Sequence, residues 1–593
     1  MHNLKNFFPT DWRSVLPFLK WIGDIRKPGV LRADIIAGVT VALVLVPQSM
    51  AYAQLAGLPA YYGLYASFLP GIIAALFGSS RQLATGPVAV VSLMTAAALE
   101  PIAGANVDMY VTYAILMALQ VGLFQLFLGG LKLGVLVNFL SHPVVVGFTN
   151  AAAIIIGSSQ LSKIFGVTAE KAEHQYETVW NVLVAATTDT HMLTLAMAIL
   201  ALSIMVLLKR YLPKFPGVLI AVVTTTLISW YFGFAEQGGK VVGLVPQGLP
   251  LPRMPEIDFT VALQLFTTSA IISVIGFMEA ISIAKAMAAR TRQKLDANQE
   301  LIGQGLGNIV SCLFQGYAVS GSFSRSAVNI NSGAMTGFSA VVTGIVVGIT
   351  LLFLTPLLYH LPQATLAAVI MMAVVNLVKI EPIRYAWRVQ PHDGIVAVVT
   401  FFLTLLVAPH LETGIITGVI LSLGLFLYRT MSPRVSVLAR DPDGTLRDAD
   451  THRLQTCKNI SVIRFDGPLY FANTGYFSDK LLERVALKQE LKFVIVDAEG
   501  INEIDATGEE MLHDLASQLE ELEIELLFAR VKKQVMDRLK NSGFVSSLGP
   551  DKFFRLRTRA FHYAWDKLGD NHAETCPLVV AMPLDEEPAE TEA

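Results

Sequence analysis

The sequence predicts a polytopic α-helical membrane protein of about fourteen spans, a seven-plus-seven inverted repeat, followed by a small cytoplasmic α/β domain. Three observations carry this reading. Of the 593 residues, 53% are hydrophobic and only 15% charged, where a soluble domain carries about 25% charged, so lipid solvates most of the chain. Apolar runs recur along the chain rather than occurring once. After Arg429 the composition becomes soluble-like, with alternating charges and short β-patterned runs.

The first set of apolar segments lies near 33–54, 61–78, 84–99, 110–130, 143–160, 191–208 and 216–235. The second lies near 262–288, 301–318, 322–333, 336–358, 363–378, 392–408 and 411–428. Several are shorter than the roughly 20 residues that a crossing helix needs. With the N-terminus inside, every even-numbered span ends in the cytoplasm. The loops then placed inside hold Arg81, Lys132, Lys209, Arg210, Lys214, Arg290, Arg292, Lys294, Lys379, Arg384 and Arg388. The outside loops near 161–190 and 236–261 are acidic or mixed, with Glu170, Glu173, Glu177, Glu236 and Glu256. This is the positive-inside bias, and it agrees with an N-terminal segment carrying Lys5, Arg13, Lys20, Arg26 and Lys27. No signal peptide is expected, because the leader before Ala33 is basic and lacks a small-residue cleavage pattern.

Other classes are disfavoured. Cys312, Cys457 and Cys576 lie far apart without metal-like spacing, so neither a disulfide framework nor a zinc site is suggested. No metal and no cofactor are expected, and an enzyme is not. The chain has no phosphate-binding G-x-x-x-x-G-K-[S/T] loop to power a pump, which leaves an ion gradient as energy source.

Two short segments occupy the third position of their sets: Ala84-Thr-Gly-Pro-Val-Ala-Val-Val-Ser-Leu93 and Ser320-Gly-Ser-Phe-Ser-Arg-Ser-Ala-Val-Asn329. Each begins with Gly or Gly-Pro and runs into a helical pattern. Paired, interrupted segments in the two halves point to an inverted-repeat transporter with its site between them. Each half-helix would aim its positive N-terminal end inward, which suits an anion. The second segment carries Arg325, and an ionised guanidinium at bilayer depth costs roughly 2.5–3.5 kcal/mol on insertion scales. The seryl hydroxyls beside it cannot neutralise it, but an anion can. The expected function is therefore movement of an anion across a membrane.

Glu279, in Gly276-Phe-Met-Glu-Ala-Ile-Ser282, is the other carboxyl or guanidinium set deep in an apolar span. A lone carboxyl group there fits a proton carrier, which takes up one proton and releases it as its surroundings rehydrate. The alternative is a structural bridge to Arg325. Gln48 and Tyr52 are four apart and share a helix face, and Gln48 follows Pro47, where a freed carbonyl invites a local break. Asn329 and Asn331 are read as interhelical hydrogen-bonding residues, and His142 before Pro143 as a helix-start residue.

In the soluble part, strands are expected over Ile460–Phe465, Phe493–Val496 and Glu525–Ala529, with helices near 473–488, 508–522 and 531–541. Thr507-Gly-Glu-Glu510 reads as a capping box with Thr507 as the cap. The end, Pro583-Leu-Asp-Glu-Glu-Pro-Ala-Glu-Thr-Glu-Ala593, reads as an acidic, disordered tail.

Several motifs in order resemble the sulfate permease family of anion transporters. They are Pro47-Gln-Ser-Met-Ala-Tyr-Ala-Gln-Leu-Ala-Gly-Leu-Pro59 with Tyr62-Gly-Leu-Tyr65, then Ser141-His-Pro143 with Gly147-Phe-Thr149, Asn298-Gln-Glu300, Ser322-Phe-Ser-Arg-Ser326 and Asn329. The soluble end resembles the sulfate-transporter and anti-sigma-antagonist (STAS) domain. The resemblance runs from about residue 30 to 565 and divides the chain into a cytoplasmic segment 1–30, a transport domain 31–430, a STAS domain 431–567 and a tail 568–593.

The resemblance implies a homodimer in which a core (spans one to four and eight to eleven) moves against a gate (spans five to seven and twelve to fourteen). It also implies a substrate site at Gln48, Tyr52, Val88, Ser324 and Arg325, and a glutamate at the Glu279 position. Val88 stands where prestin-like members tend to carry phenylalanine. Thr507 falls at the phosphoacceptor position of related anti-sigma antagonists. Proton-coupled sulfate uptake across a bacterial inner membrane, with both termini cytoplasmic, is the favoured expectation. Bicarbonate or dicarboxylate transport, sodium coupling or anion exchange are the alternatives.

Overall fold

Inside a bilayer no water satisfies backbone amides, so apolar runs close their hydrogen bonds within helices. The computed structural model describes residues 16–103, 106–134, 141–170, 172, 174–212, 215–375, 377–569 and 576–578. Each expected span has a helical counterpart in it. The first set comprises α1 (Val30–Leu55), α2 (Tyr61–Phe68) with α3 (Pro70–Phe77), α4 (Ala89–Ala103), α5 (Val107–Gly130), α6 (His142–Ser159), α7 (Met192–Tyr211) and α8 (Gly217–Tyr231). The second comprises α9 (Phe259–Thr291), α10 (Ala297–Leu313), α11 (Phe323–Asn331), α12 (Phe338–Ile349), α13 (Gln363–Val375), α14 (Pro391–Val407) and α15 (Leu411–Met431). Among the described residues, seven helices are long and apolar enough to cross a membrane by themselves. Lys5, Arg13, Glu173, Lys214 and the acidic stretch from Pro583 lie outside the described residues.

Local chemistry explains the departures from the expected pattern. The second span is two helices because Pro70, which lacks an N–H, opens a new one at its first turn. Pro47 does not break α1, contrary to expectation. Gln48 through Ala53 are all buried, so the neighbouring helices hold the chain helical past the proline, and Ser49 Oγ donates to the Val46 carbonyl at 2.9 Å. The stretch near 161–190, expected to be an outside loop, contains a helix, Gln175–Thr188.

The helices form two packing groups. In one, α10 lies against α5 and α3, α9 against α5, and α12 and α11 against α1. In the other, α14 packs on α6, and α7 on α8 and α13. Helices α13 and α8 also reach α1. The closest backbone approach depends on Gly63, where an added Cβ would stand 1.9 Å from the Ser49 carbonyl oxygen. Ahead of α4 and α11 lie two-residue strands, β1 (Thr85–Gly86) and β2 (Ser320–Gly321), paired antiparallel.

Contacts divide the chain into Met1–Ser422 and Leu423–Ala593. The second unit is built on six strands, β3 (Arg434–Arg440), β4 (Leu446–Asp448), β5 (Ile460–Asp466), β6 (Phe493–Asp497), β7 (Glu525–Ala529) and β8 (Phe553–Phe554). They form one mixed sheet in the order β4-β3-β5-β6-β7-β8, parallel from β5 to β8 and antiparallel on the β3 side. The period of two along each strand sorts side chains to two cores. Ile463, Val494, Val496 and Phe528 face the helices α16 (Thr474–Ala486), α17 (Ala506–Glu521) and α18 (Lys533–Ser542). Val462, Phe493, Ile495 and Leu527 face α19 (Arg557–Leu568). The three expected strands and three expected helices are present, whereas β3, β4 and β8 were not anticipated.

The cap of α17 is a correction. Asp505, not Thr507, is the N-cap: its carboxylate accepts from Gly508 N at 2.8 Å and from Phe471 N at 2.9 Å. A carboxylate that satisfies both a helix N–H and a neighbouring loop outcompetes the threonine hydroxyl, which lies exposed in the first turn.

Candidate functional site

The site begins with the strand pair. Thr85 stands opposite Gly321 and Gly86 opposite Ser320, and each strand leads within three residues into its half-helix. Because the strands are antiparallel, α4 and α11 leave the pair in opposite directions and their N-termini meet. Further bonds fix the junction. Ser322 N donates to the Ala84 carbonyl and Ala84 N to Ser326 Oγ, both at 2.9 Å. Ser320 Oγ donates to the Gly276 carbonyl of α9 at 2.6 Å, and Ser92 Oγ and Tyr317 Oη lie 3.0 Å apart.

Arg325 projects inward from the first turn of α11 and is 0% exposed. Its Nε, Nη1 and Nη2 all lack a hydrogen-bond partner, so the direct bridge to Glu279, the alternative reading of that carboxyl group, is not formed. Gly86 makes room for the guanidinium, since an added Cβ would stand 3.3 Å from Arg325 Nη2. Tyr52, Tyr317 and Glu279 are near enough to interact with Arg325 electrostatically. An enclosed charge without hydrogen bonds is costly, which marks this junction as a place where an anion would be stabilised.

The other expected residues are placed differently. Gln48 and Tyr52 are both 6% exposed on α1, with Gln48 Oε1 unpartnered, and Val88, 4% exposed, closes the turn before α4. Ser324, which precedes the buried Arg325 on α11, is exposed, and Ser322 Oγ lies 3.3 Å from its hydroxyl. A small cavity borders Arg325 and is lined by Val41, Leu45, Ser67, Thr85 and Asn329, but by none of Gln48, Tyr52, Val88 or Ser324. The five residues thus surround the junction without lining one cavity. Glu279 is half-buried on the stretch of α9 whose Gly276 and Ala280 pack against β2. Asn329 Nδ2 donates to the carbonyl of Gln82, in the loop before β1, at 3.1 Å, so the bond joins a helix to a loop and not two helices as expected, and Asn331 is exposed. His142 opens α6 after the cap position Ser141.

Two residues that sequence reasoning passed over hold the junction together. Asn308 accepts from Val319 N at 2.8 Å and donates to Val319 O at 3.1 Å, clamping the chain just before β2. Gln304 donates to Thr85 Oγ1 at 2.8 Å. The signal was available: Glu300, Gln304 and Asn308 recur every four residues, a polar stripe on a membrane helix.

Comparison with known proteins settles the family. A model of the sulfate permease family matches residues 31–400, and a STAS domain model matches 452–558. The chain belongs to the sulfate permease family. This family member is 37% identical over 572 residues to "Sulfate transporter 4.1, chloroplastic" of Arabidopsis thaliana, covering 93% of this chain and 83% of that one. Its fold matches the murine Slc26a9 anion transporter in the inward-facing state with a TM-score of 0.87 at 24% identity, over 95% of each chain. The transmembrane domain of a cyanobacterium bicarbonate transporter, BicA, matches with a TM-score of 0.58 at 25% identity, over 67% of this chain and 98% of that one. The family member thus has a multi-pass membrane transporter fold carrying a C-terminal STAS domain.

Proposed function

We propose that this sulfate permease family member is a secondary active transporter that takes up sulfate with protons across a bacterial inner membrane by alternating access. The observation that carries the reading is Arg325: a fully buried guanidinium without hydrogen bonds, at the meeting point of two half-helix N-termini. A unit positive charge about 5 Å from an anion contributes roughly 3 kcal/mol at an effective dielectric of about 20. That is comparable to the cost of placing the arginine there, so an arriving anion offsets it. In this reading the anion docks beside the exposed Ser324 and the free N–H groups of the half-helices, with Gln48, Tyr52 and Val88 shaping the approach. Arg325 supplies charge from behind.

Sulfate is favoured because the first-named relative is a sulfate transporter aligned over nearly the whole chain. A divalent anion entering against an inside-negative potential needs co-transported cations. Glu279 supports protons as those cations: it lies within electrostatic reach of Arg325 without being tied to it, so the two can exchange a proton for an anion. The packing group of α1–α5 and α9–α12 would move as the core and the other helices as the gate, in a homodimer with cytoplasmic termini. Thr507, exposed at the start of α17, remains the proposed phosphoacceptor of the STAS domain. The likeness to the bicarbonate transporter domain makes bicarbonate the second reading.

Uptake of radiolabelled sulfate and bicarbonate into proteoliposomes, with imposed proton or sodium gradients, separates these. The proposal expects sulfate to accumulate with an inward proton gradient and to ignore sodium. Sodium-driven accumulation of bicarbonate without sulfate flux would overturn it.

A further inference from the structure

In the soluble unit, two cysteines far apart in sequence share one buried cluster. Cys457, in the loop before β5, and Cys576, beyond α19, are free thiols only 5% and 6% exposed, packed with Phe561, Trp565 and Leu578. The Cys576 thiol lies close enough to the Cys457 sulfur to interact with it, as do the backbone N–H groups of Asn459 and Ile460. Lys488 Nζ, bonded to the Cys457 carbonyl at 2.6 Å, adds positive charge beside it. The neighbouring Cys576 thiol, with those N–H groups, holds Cys457 below the ordinary thiol range. The same neighbour, together with burial, pushes Cys576 up. One sulfur is biased to thiolate while its neighbour keeps the proton, the asymmetry that thiol–disulfide exchange uses.

We propose that Cys457 and Cys576 form a thiol–disulfide modification site that reacts with low-molecular-weight disulfides of the glutathione class. The exchange starts when residues 576–578 lift and uncover Cys457. The Cys457 thiolate attacks one sulfur of the small disulfide, forming a mixed disulfide and releasing one small thiolate. As the segment returns, the Cys576 thiol gives up its proton and attacks the Cys457 sulfur, expelling the second small thiolate. One protein thiolate and one protein thiol are oxidised to a disulfide, one small disulfide is reduced to a small thiolate and a small thiol, and the proton that Cys576 gives up ends on the latter. The new bond fastens residues 576–578 to the loop before β5. This site is independent of the transport reading.

The test incubates the purified full-length protein across a series of oxidised-to-reduced glutathione ratios, quenches with acid, denatures, alkylates with a maleimide and maps the peptides. Alkylation should be lost at Cys457 and Cys576 together, with a linked peptide pair appearing and Cys312 still alkylated. The Cys576→Ser variant should retain glutathione on Cys457, because nothing displaces it. If both cysteines of the wild type stay alkylatable in oxidised glutathione alone, the proposal is overturned. A wild type that keeps glutathione on Cys457 with no link overturns it equally, and this map needs no variant to fold.

Discussion

Thr85 lies opposite Gly321 in an antiparallel ladder only two residues long, and this register brings the N-termini of α4 and α11 together. A ladder this short has few hydrogen bonds of its own. The ladder is held from outside, by Gln304 on Thr85 and by Asn308 on the residue before β2. The junction therefore depends on α10 as much as on the half-helices.

Replacing Asn308 tests that dependence. Asn308→Leu strips the clamp from both polar groups of Val319, and a buried group left unsatisfied costs about 1–3 kcal/mol. Sulfate uptake should fall by at least about tenfold, the equivalent of 1.4 kcal/mol, with a lowered unfolding temperature. Uptake and melting like the wild type would show that the ladder does not need α10.

The spans were legible because bilayer thickness imposes a length and a composition on each. The half-helices were legible from Gly-Pro and Ser-Gly before helical patterns. The strand pair itself was not, because two residues show no alternation and their partner lies in the other half of the chain. Asp505 and Thr507 offer overlapping cap motifs, and the choice fell to a long-range contact, Phe471 N on Asp505, that no local pattern contains. The meeting of Cys457 and Cys576 is likewise a product of tertiary packing. Of the candidate site, the burial of Arg325 followed from its place in an apolar run, but the exposure of Ser324 beside it depends on how α11 is turned.

Acid should loosen one edge of the soluble unit first. Burial opposes the charge on Asp448, but hydrogen bonds from Thr451 N, Arg434 and Ser436 outweigh it and hold the carboxyl well below the usual range. A depressed carboxyl contributes stability above its unfolded value, about 3.9, and loses it as pH falls through the folded value. Hydrogen exchange of the full-length protein should show β3 and β4 losing protection below about pH 4, and Asp448→Ala should cost about 1–2 kcal/mol at neutral pH, as for a lost helix cap. Unchanged protection in that variant at neutral pH would refute the assignment.

Removal of the STAS domain should change amount but not selectivity. Truncation after about residue 435 is expected to alter uptake rate or abundance several-fold while leaving the preference among anions as it is, because the candidate site is built within the preceding helices. Competition by unlabelled anions against labelled sulfate reads this out. An altered order of preference would place part of the selectivity in the soluble domain.

Proton coupling through Glu279 has its own signature. Uptake should rise at acidic external pH and be indifferent to sodium. Glu279→Gln, which mimics the protonated carboxyl group, should abolish concentrative uptake and retain sulfate exchange. Accumulation by this variant in response to a proton gradient would make Glu279 structural.

The most direct measurement is sulfate uptake by Arg325→Ala in proteoliposomes under an inward proton gradient, with expression and oligomeric state checked in the same preparation. Arg325 is a fully buried, unpartnered guanidinium, and removing it takes the full positive charge away from the half-helix junction. Uptake should fall to the level of empty liposomes while the protein stays folded. Uptake near the wild-type rate would contradict the account, because the anion would then be stabilised elsewhere.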